Sequence, residues 1–214
     1  MAKLSSGFIN MVLVLTGTSL FVAAILALIY SITKEPIEAS KTTKQHNAMI
    51  EVLPSFARLS EPELIEMRGI AFAVYKAFDD NHNFAGAAVE ASSKNGFNGE
   101  IKLIVGFDHE ANIVNYSILE QKETPGLGTR MVDWFKPAVK TEKSLIEKIF
   151  GFEVKTVERK SSIIGKNPEH DQLTVSKDGG QIDAITAATI TSRAFLEAIC
   201  SAYEVYINII ETYE

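Results

Sequence analysis

The 214-residue chain contains a single cysteine, Cys200. One thiol forms no internal disulfide, and without a second there is no thiolate cluster for zinc or iron–sulfur ligation. Set among apolar residues of a helical pattern, Cys200 reads as a buried, inert thiol. Histidine is also scarce: His46, His82, His109 and His170 are widely spaced, and no metal site is expected of them. Positive charge is in the minority, 21 Lys and Arg against 27 Asp and Glu, for a net charge of −6. A nucleic-acid-binding face needs the opposite balance, so no nucleic-acid partner is expected. There is no Walker A, G-x-S-x-G or G-x-G-x-x-G motif, which removes the phosphate-loop, hydrolase and dinucleotide-fold readings. Internal repeats and low-complexity tracts are absent as well.

Long apolar runs are rare, with one exception. No charged residue occurs between Leu4 and Thr33, and Phe8 to Ile32 is apolar almost throughout. About 20 such residues cross a hydrocarbon core of roughly 30 Å. A cleaved signal peptide would have a shorter apolar core followed by a small-x-small site, and neither is present. The expected organisation is a short cytoplasmic amino terminus (residues 1–7), a transmembrane helix (8–32) with the lipid bilayer as its partner, a helical connector (33–68) and one soluble domain (69–214). Lysines flank the apolar run on both sides, Lys3 before it and Lys34, Lys41 and Lys44 after it, so charge alone does not orient it. In the connector a helix is expected from Glu35 to Leu53, stopped before Pro54, with Ile37, Met49, Ile50 and Leu53 facing the domain.

The soluble part alternates short strand-like runs with turn signals. Ile70–Phe78, Phe84–Ala91, Ile101–Phe107 and Ile113–Leu119 are separated by Asp79–Asn83, a Gly96–Gly99 break and Asp108–Asn112. Short turns between successive strands predict an antiparallel meander. Short helices are expected at Met131–Lys136 and Ser144–Phe150, and a further strand at Phe152–Glu158. A final helix is expected from Ser192 to Tyr213, with Phe195, Ile199, Ala202, Val205 or Tyr206, and Ile209 on one face. The fold class is α+β: one transmembrane helix, then a mainly antiparallel sheet flanked by helices. Trp134, Phe135 and Phe150 read as core or interface residues.

The segment Asp183-Ala184-Ile185-Thr186-Ala187-Ala188-Thr189-Ile190-Thr191-Ser192 concentrates small and hydroxyl residues just before the last helix. Hydroxyls at such a place cap free backbone N–H groups, and the same N–H groups and helix dipole favour a phosphate. On the residues alone, Thr191 or Ser192 as an ordinary N-cap, with the alanines as packing, is the competing reading.

This segment resembles the flavinylation motif of the FMN-binding domain family, found in the G subunit of the Rnf ion-translocating complex and the C subunit of the sodium-pumping NADH:quinone reductase. The family pattern is Asp, two free positions, Ser or Thr, Gly, Ala, Thr, then Ser or Thr three places later. Asp183, Thr186, Ala188, Thr189 and Ser192 match it, and Ala187 stands where the family has glycine. An alanine there is costly if the backbone needs a positive φ. Three further elements match in the right order: Gly96-Phe97-Asn98-Gly99, the loop Glu123-Thr124-Pro125-Gly126-Leu127-Gly128, and Lys177-Asp178-Gly179-Gly180. The resemblance runs from the membrane helix to the last helix, and the chain length is nearer the Rnf subunit.

The resemblance implies covalent FMN held by a phosphoester on Thr189, with Glu123, Thr124, Gly126, Leu127, Gly128, Lys177, Asp183, Thr186, Ala187, Ala188 and Thr191 around it. It implies no catalytic residue of the chain's own and no independent catalytic cycle. Thr189 would be the acceptor for a separate flavin transferase that uses FAD and Mg²⁺, and Asp183 would serve transferase recognition or helix capping. The implied function is electron carriage in a membrane-bound ferredoxin:NAD oxidoreductase, with the other membrane and iron–sulfur subunits as partners. The domain would lie on the extracytoplasmic side of the inner membrane. A quinone-reductase C subunit and a flavin-free structural or assembly subunit are the alternatives.

Overall fold

The structure, a computed structural model, describes residues 7–137 and 160–210. The short helix expected at Ser144–Phe150, Phe150 itself and the strand expected at Phe152–Glu158 fall outside them. The chain divides into two units, Met1–Gln45 and His46–Glu214. One helix, α1 (Phe8–Val52), runs through the first unit and ends in the second, with Pro36 inside it. Its apolar part is long enough to cross a membrane.

In the second unit, α1 stops just before Pro54, the expected place. The rest of the connector is not helical, contrary to the expectation for residues 33–68. Two short strands follow instead, β1 (Arg58–Leu59) and β2 (Glu63–Met67). Pro62 cannot continue a helix interior, and Glu-Leu-Ile-Glu-Met turns its two faces alternately toward core and solvent. The meander comes next: β3 (Ile70–Phe78), β4 (Phe84–Ser93), β5 (Ile101–Asp108) and β6 (Ile113–Glu120). All pairings of these strands are antiparallel, in the order β1-β3-β4-β5-β6, and β2 also pairs with β3.

Register aligns Val74 with Val89, Val89 with Val105, and Val105 with Tyr116. These four are fully buried and line one face. Against that face lies the last helix, α3 (Thr189–Ile210), whose Phe195, Ile199, Ala202, Val205, Tyr206 and Ile209 are all buried as its periodicity predicts. Burying each large apolar side chain contributes about 1.5–3 kcal/mol. The opposite face takes the end of α1: Ala48, Met49, Val52 and Leu53 pack on Tyr75, Ala77, Ala88 and Ile104. Met49 and Leu53 thus face the domain as expected, whereas Ile50 and Ile37 are exposed. Gly106 makes this approach possible, because a Cβ there would collide with the Val52 carbonyl oxygen.

A short helix, α2 (Met131–Trp134), packs beside α3. Tyr116 donates its hydroxyl to the Met131 carbonyl at 2.7 Å, and the Phe135 ring stacks on Phe195 with centroids 4.4 Å apart. Phe135 is fully buried. The start of α3 is earlier than the periodicity predicts, at Thr189 in place of Ser192. The three added residues bring Thr189 into the first turn.

Candidate functional site

Three of the singled-out segments meet at one buried carboxylate. Glu123, 5% exposed, accepts a hydrogen bond from the Thr191 hydroxyl on Oε2 at 2.7 Å and one from the Asn98 backbone N–H on Oε1 at 3.2 Å. Thr191 lies in the first turn of α3, Asn98 in the Gly96–Gly99 turn, and Glu123 opens the loop that ends at Gly128. A buried charge is tolerable only when its oxygens find donors, so this contact fixes the relative positions of all three. Two glycines make room for it. A Cβ on Gly128 would lie 2.5 Å from Glu123 Oε2, and one on Gly96 2.8 Å from Oε1. Asn98 adds a second link, donating its amide to the Thr124 hydroxyl at 3.2 Å.

Beyond Thr124 the loop turns tightly. Gly126 has φ +77, a value suited to a residue without a Cβ, and its N–H donates to Thr129 Oγ1 at 2.9 Å. Leu127 at the tip is 41% exposed. Glu197 of α3 anchors the chain leading into the Gly96–Gly99 turn, accepting from the Ser93 hydroxyl at 2.8 Å and from the Asn95 amide at 2.8 Å.

The segment before α3 is braced from inside. Ser192 is fully buried; its hydroxyl oxygen accepts from the Ile185 N–H at 2.9 Å, and its proton goes to the Ala188 carbonyl at 3.0 Å. Thr191 and Ser192 are therefore inside the helix and tie its first turn to the preceding loop and to Glu123; neither is the N-cap. Ala187 has φ +63. This position does require the left-handed region, and alanine occupies it at a cost of roughly 1–2 kcal/mol. Asp183 is turned away from the helix start: its Oδ2 accepts the Lys160 N–H at 3.0 Å, and its carbonyl accepts the Trp134 indole N–H at 2.8 Å.

Thr186 and Ala187 are exposed, Ala188 is buried and Thr189 is half-exposed. The Lys177 ammonium donates to Thr189 Oγ1 at 3.1 Å. Lys177 reaches it from the turn closed by Gly179 and Gly180. Gly179 has φ +85, and a Cβ on Gly180 would collide with the Thr174 carbonyl oxygen. Asp178, beside Lys177, is clasped by Arg193 through two 2.7 Å hydrogen bonds. The guanidinium holds the Asp178 carboxyl below the usual carboxylate range.

Six of the predicted site residues fall into two groups: Glu123, Thr124, Gly128 and Thr191 form the interior brace, and Lys177 and Thr189 meet at the surface. Gly126 and Leu127 form the loop tip, Asp183 is held by Lys160, and Thr186, Ala187 and Ala188 lead into α3 without joining either group. Asn98 lies in the recognised Gly96–Gly99 element without being predicted as a site residue, and Arg193 is not singled out by the sequence. Arg193 carries one readable signal, a position one helical turn after Thr189 on the same face.

The arrangement offers a surface hydroxyl beside an ammonium, at the start of a long helix whose first N–H groups have no partner within the helix. An FMN-binding domain model matches residues 96–204, which takes in every group just described except Ser93 and Asn95. Over 203 residues the chain is 31% identical to the G subunit of the ion-translocating oxidoreductase complex of Aliivibrio fischeri, covering 91% of this chain and 88% of the relative. It is 31% identical over 181 residues to the protein of the same name from Salmonella typhi, covering 81% and 78%. The crystal structure of Shewanella oneidensis NqrC superposes with a TM-score of 0.41 at 19% identity, over 66% of this chain and 62% of that one. The chain belongs to the G-subunit family of ion-translocating oxidoreductase complexes, and its residues 96–204 form an FMN-binding domain.

Proposed function

We propose that this chain is the electron-carrying flavin subunit of a membrane-bound, ion-translocating ferredoxin:NAD oxidoreductase, and that it holds FMN as a phosphoester on Thr189. Membership in the G-subunit family supports the first part. The observation that carries the second is the Lys177–Thr189 contact. Of the three hydroxyls in the first turn of α3, the one that faces outward has a cation at 3.1 Å, and the other two are spent inside the fold.

The residues present fit an anionic ligand. Lys177 supplies charge, the α3 start supplies N–H donors, and Asp183, the carboxylate of the motif, is occupied by the Lys160 N–H. Thr186 and Ala187 leave the surface open, and Leu127, held by its N–H on the Thr124 carbonyl, offers an exposed apolar side chain for a ring system. Bound FMN supplies uptake of two electrons and their release one at a time. Threonine is a weak nucleophile without a base, and none of the four histidines stands within the motif. Thr189 is accordingly an acceptor: its Oγ1 takes the FMN phosphorus as the pyrophosphate bond of FAD breaks, AMP leaves with that bond's electrons, and the hydroxyl proton passes to a base of the transferase. Glu123 and Thr191 hold the loops in position and do not themselves accept the phosphate.

In this reading the apolar part of α1 spans the lipid bilayer of the inner membrane, the domain lies on the extracytoplasmic side, and the other membrane and iron–sulfur subunits are the partners. The chain has no catalytic cycle of its own.

The test is production of the full-length protein with its flavin transferase, followed by in-gel fluorescence after denaturation and intact mass. An FMN-sized addition, located on the peptide spanning the α3 start and lost in Thr189→Ala, is expected. A dark wild-type protein of unmodified mass would establish the flavin-free structural subunit instead, and fluorescence retained by Thr189→Ala would remove Thr189 from the site.

A further inference from the structure

The turn at Lys177 and Asp178 touches α3 at two points one helical turn apart. Lys177 reaches Thr189, and Asp178 reaches Arg193, four residues further on. Residues separated by four lie on the same face of a helix, so adjacent residues of the turn lie along one stripe. The Asp178–Arg193 contact is bidentate, with both carboxylate oxygens in use at 2.7 Å. This geometry fixes direction as well as distance, since the guanidinium is a rigid fork. The turn itself has little freedom: Ser176 donates to the Ile182 carbonyl, Ile182 to the Thr174 carbonyl, and Gly180 sits against Thr174.

The charges divide unequally. Arg193 takes both oxygens of Asp178, which removes from competition the carboxylate next to Lys177 in the chain. Lys177 then makes its hydrogen bond to a neutral hydroxyl. Of the two cations and one anion in the cluster, one positive charge is left uncompensated, at the oxygen where a phosphodiester would bring one negative charge. The low proton affinity of Asp178 agrees with a carboxylate kept ionised by Arg193.

We infer that Asp178 and Arg193 are positioning residues for flavin attachment: their pair holds the Lys177 ammonium against Thr189 Oγ1 and leaves its charge for the incoming phosphate. This rests on the assignment of Thr189 as the acceptor. Neither side chain touches the reacting oxygen, so both act through Lys177.

The experiment follows flavin addition by intact mass over time. Full-length protein in detergent is incubated with flavin transferase, FAD and Mg²⁺ across a range of acceptor concentrations. Asp178→Asn keeps the shape and adds net positive charge. If charge alone mattered it would react as fast as wild type; if position matters its maximal rate falls roughly tenfold. Arg193→Gln falls at least as far. The exchanged pair Asp178→Arg with Arg193→Asp restores most of the rate. Thermal unfolding accompanies each variant. Both side chains are partly exposed, 51% for Arg193 and 35% for Asp178, and the unfolding temperatures should stay near wild type.

An Asp178→Asn variant with wild-type maximal rate overturns the inference. So does a change confined to the half-saturating acceptor concentration, which would make the pair a transferase docking contact. Thr189→Ala separates the two levels of failure. If it remains unmodified while Asp178→Asn is as fast as wild type, only the positioning role fails. If it still gains flavin, the acceptor assignment fails and the positioning role with it.

Discussion

Thr189 and Thr191 stand two positions apart in the first turn of α3, about 200° apart around the helix axis, and have opposite surroundings. Thr191 is 1% exposed and donates a hydrogen bond to the buried carboxylate of Glu123. Thr189 is half-exposed and accepts from a lysine. The same side chain thus serves two purposes in one motif, and the helix geometry separates them. The inner threonine locks three loops to the helix; the outer one is left available because the inner one, with Ser192, has taken over the bracing. A hydroxyl-rich sequence at a helix start is therefore not redundant. Each position has a single direction to face.

The sharpest way to break this comparison is to remove each hydroxyl in turn. Thr191→Val should leave Glu123 Oε2 buried without its donor and cost about 3 kcal/mol, a fall in Tm of roughly 6–12 °C for a chain this size. Thr189→Val should leave Tm within about 1–2 °C, since exposed substitutions rarely exceed 0.5 kcal/mol, and should abolish flavin attachment. At a temperature where Thr191→Val is folded, it should still accept flavin. Thermal unfolding of the full-length protein with in-gel fluorescence reads both. Should Thr191→Val unfold at the wild-type temperature and stay dark, the two roles are reversed.

Glycines sharpen the same contrast between inside and outside. Gly128→Ala places a methyl 2.5 Å from Glu123 Oε2 and 2.9 Å from Thr191 Oγ1; overpacking of this kind costs about 2 kcal/mol, or roughly 4–8 °C in Tm. A Cβ on Gly126 meets open space, but φ +77 makes Gly126→Ala cost about 1 kcal/mol. Ala187 gives the opposite sign. It already holds φ +63, so Ala187→Gly should stabilise by about 0.5–1 kcal/mol and raise Tm by a few degrees. If Ala187→Gly lowers Tm, the left-handed backbone at this position is not the folded conformation.

Which of these features the sequence reveals depends on how local their causes are. The four long strands are legible because turns marked by Asp (Asp79–Asn83, Asp108–Asn112) or by glycine (Gly96–Gly99) punctuate them and their faces alternate or are wholly buried. The buried stripe of α3 follows from its 3.6-residue period. β1 and β2 are not legible: at two and five residues they are too short for a hydrophobic period to stand out, and they exist because β3 offers them an edge. The helix start is ambiguous in sequence because Thr191 and Ser192 are both suitable caps; only the Ser192–Ile185 and Thr191–Glu123 contacts decide it. The Glu123–Gly128 loop and the Thr189 motif are recognisable through family resemblance. Their junction at one carboxylate is not, since Glu123 and Thr191 are 68 positions apart.

The smallest expected effect concerns the outer pair. Asp178 has a lowered folded-state pKa, through the hydrogen bond and charge of Arg193. A carboxylate depressed on folding contributes stability that is present above its unfolded pKa and is lost as pH falls through the folded value. The pair therefore operates at neutral pH and weakens only in acid, below the ordinary aspartate range near ~3.9. Carboxyl-carbon NMR titration should place the Asp178 midpoint below that range in the wild type and return it to the range in Arg193→Gln. The inner brace should be unaffected by that substitution, because Glu123 takes its donors from Thr191 and Asn98. Loss of the Thr191–Glu123 contact in Arg193→Gln would mean that the two layers are coupled, and that the division between the inner and the outer threonine is not a division of structure.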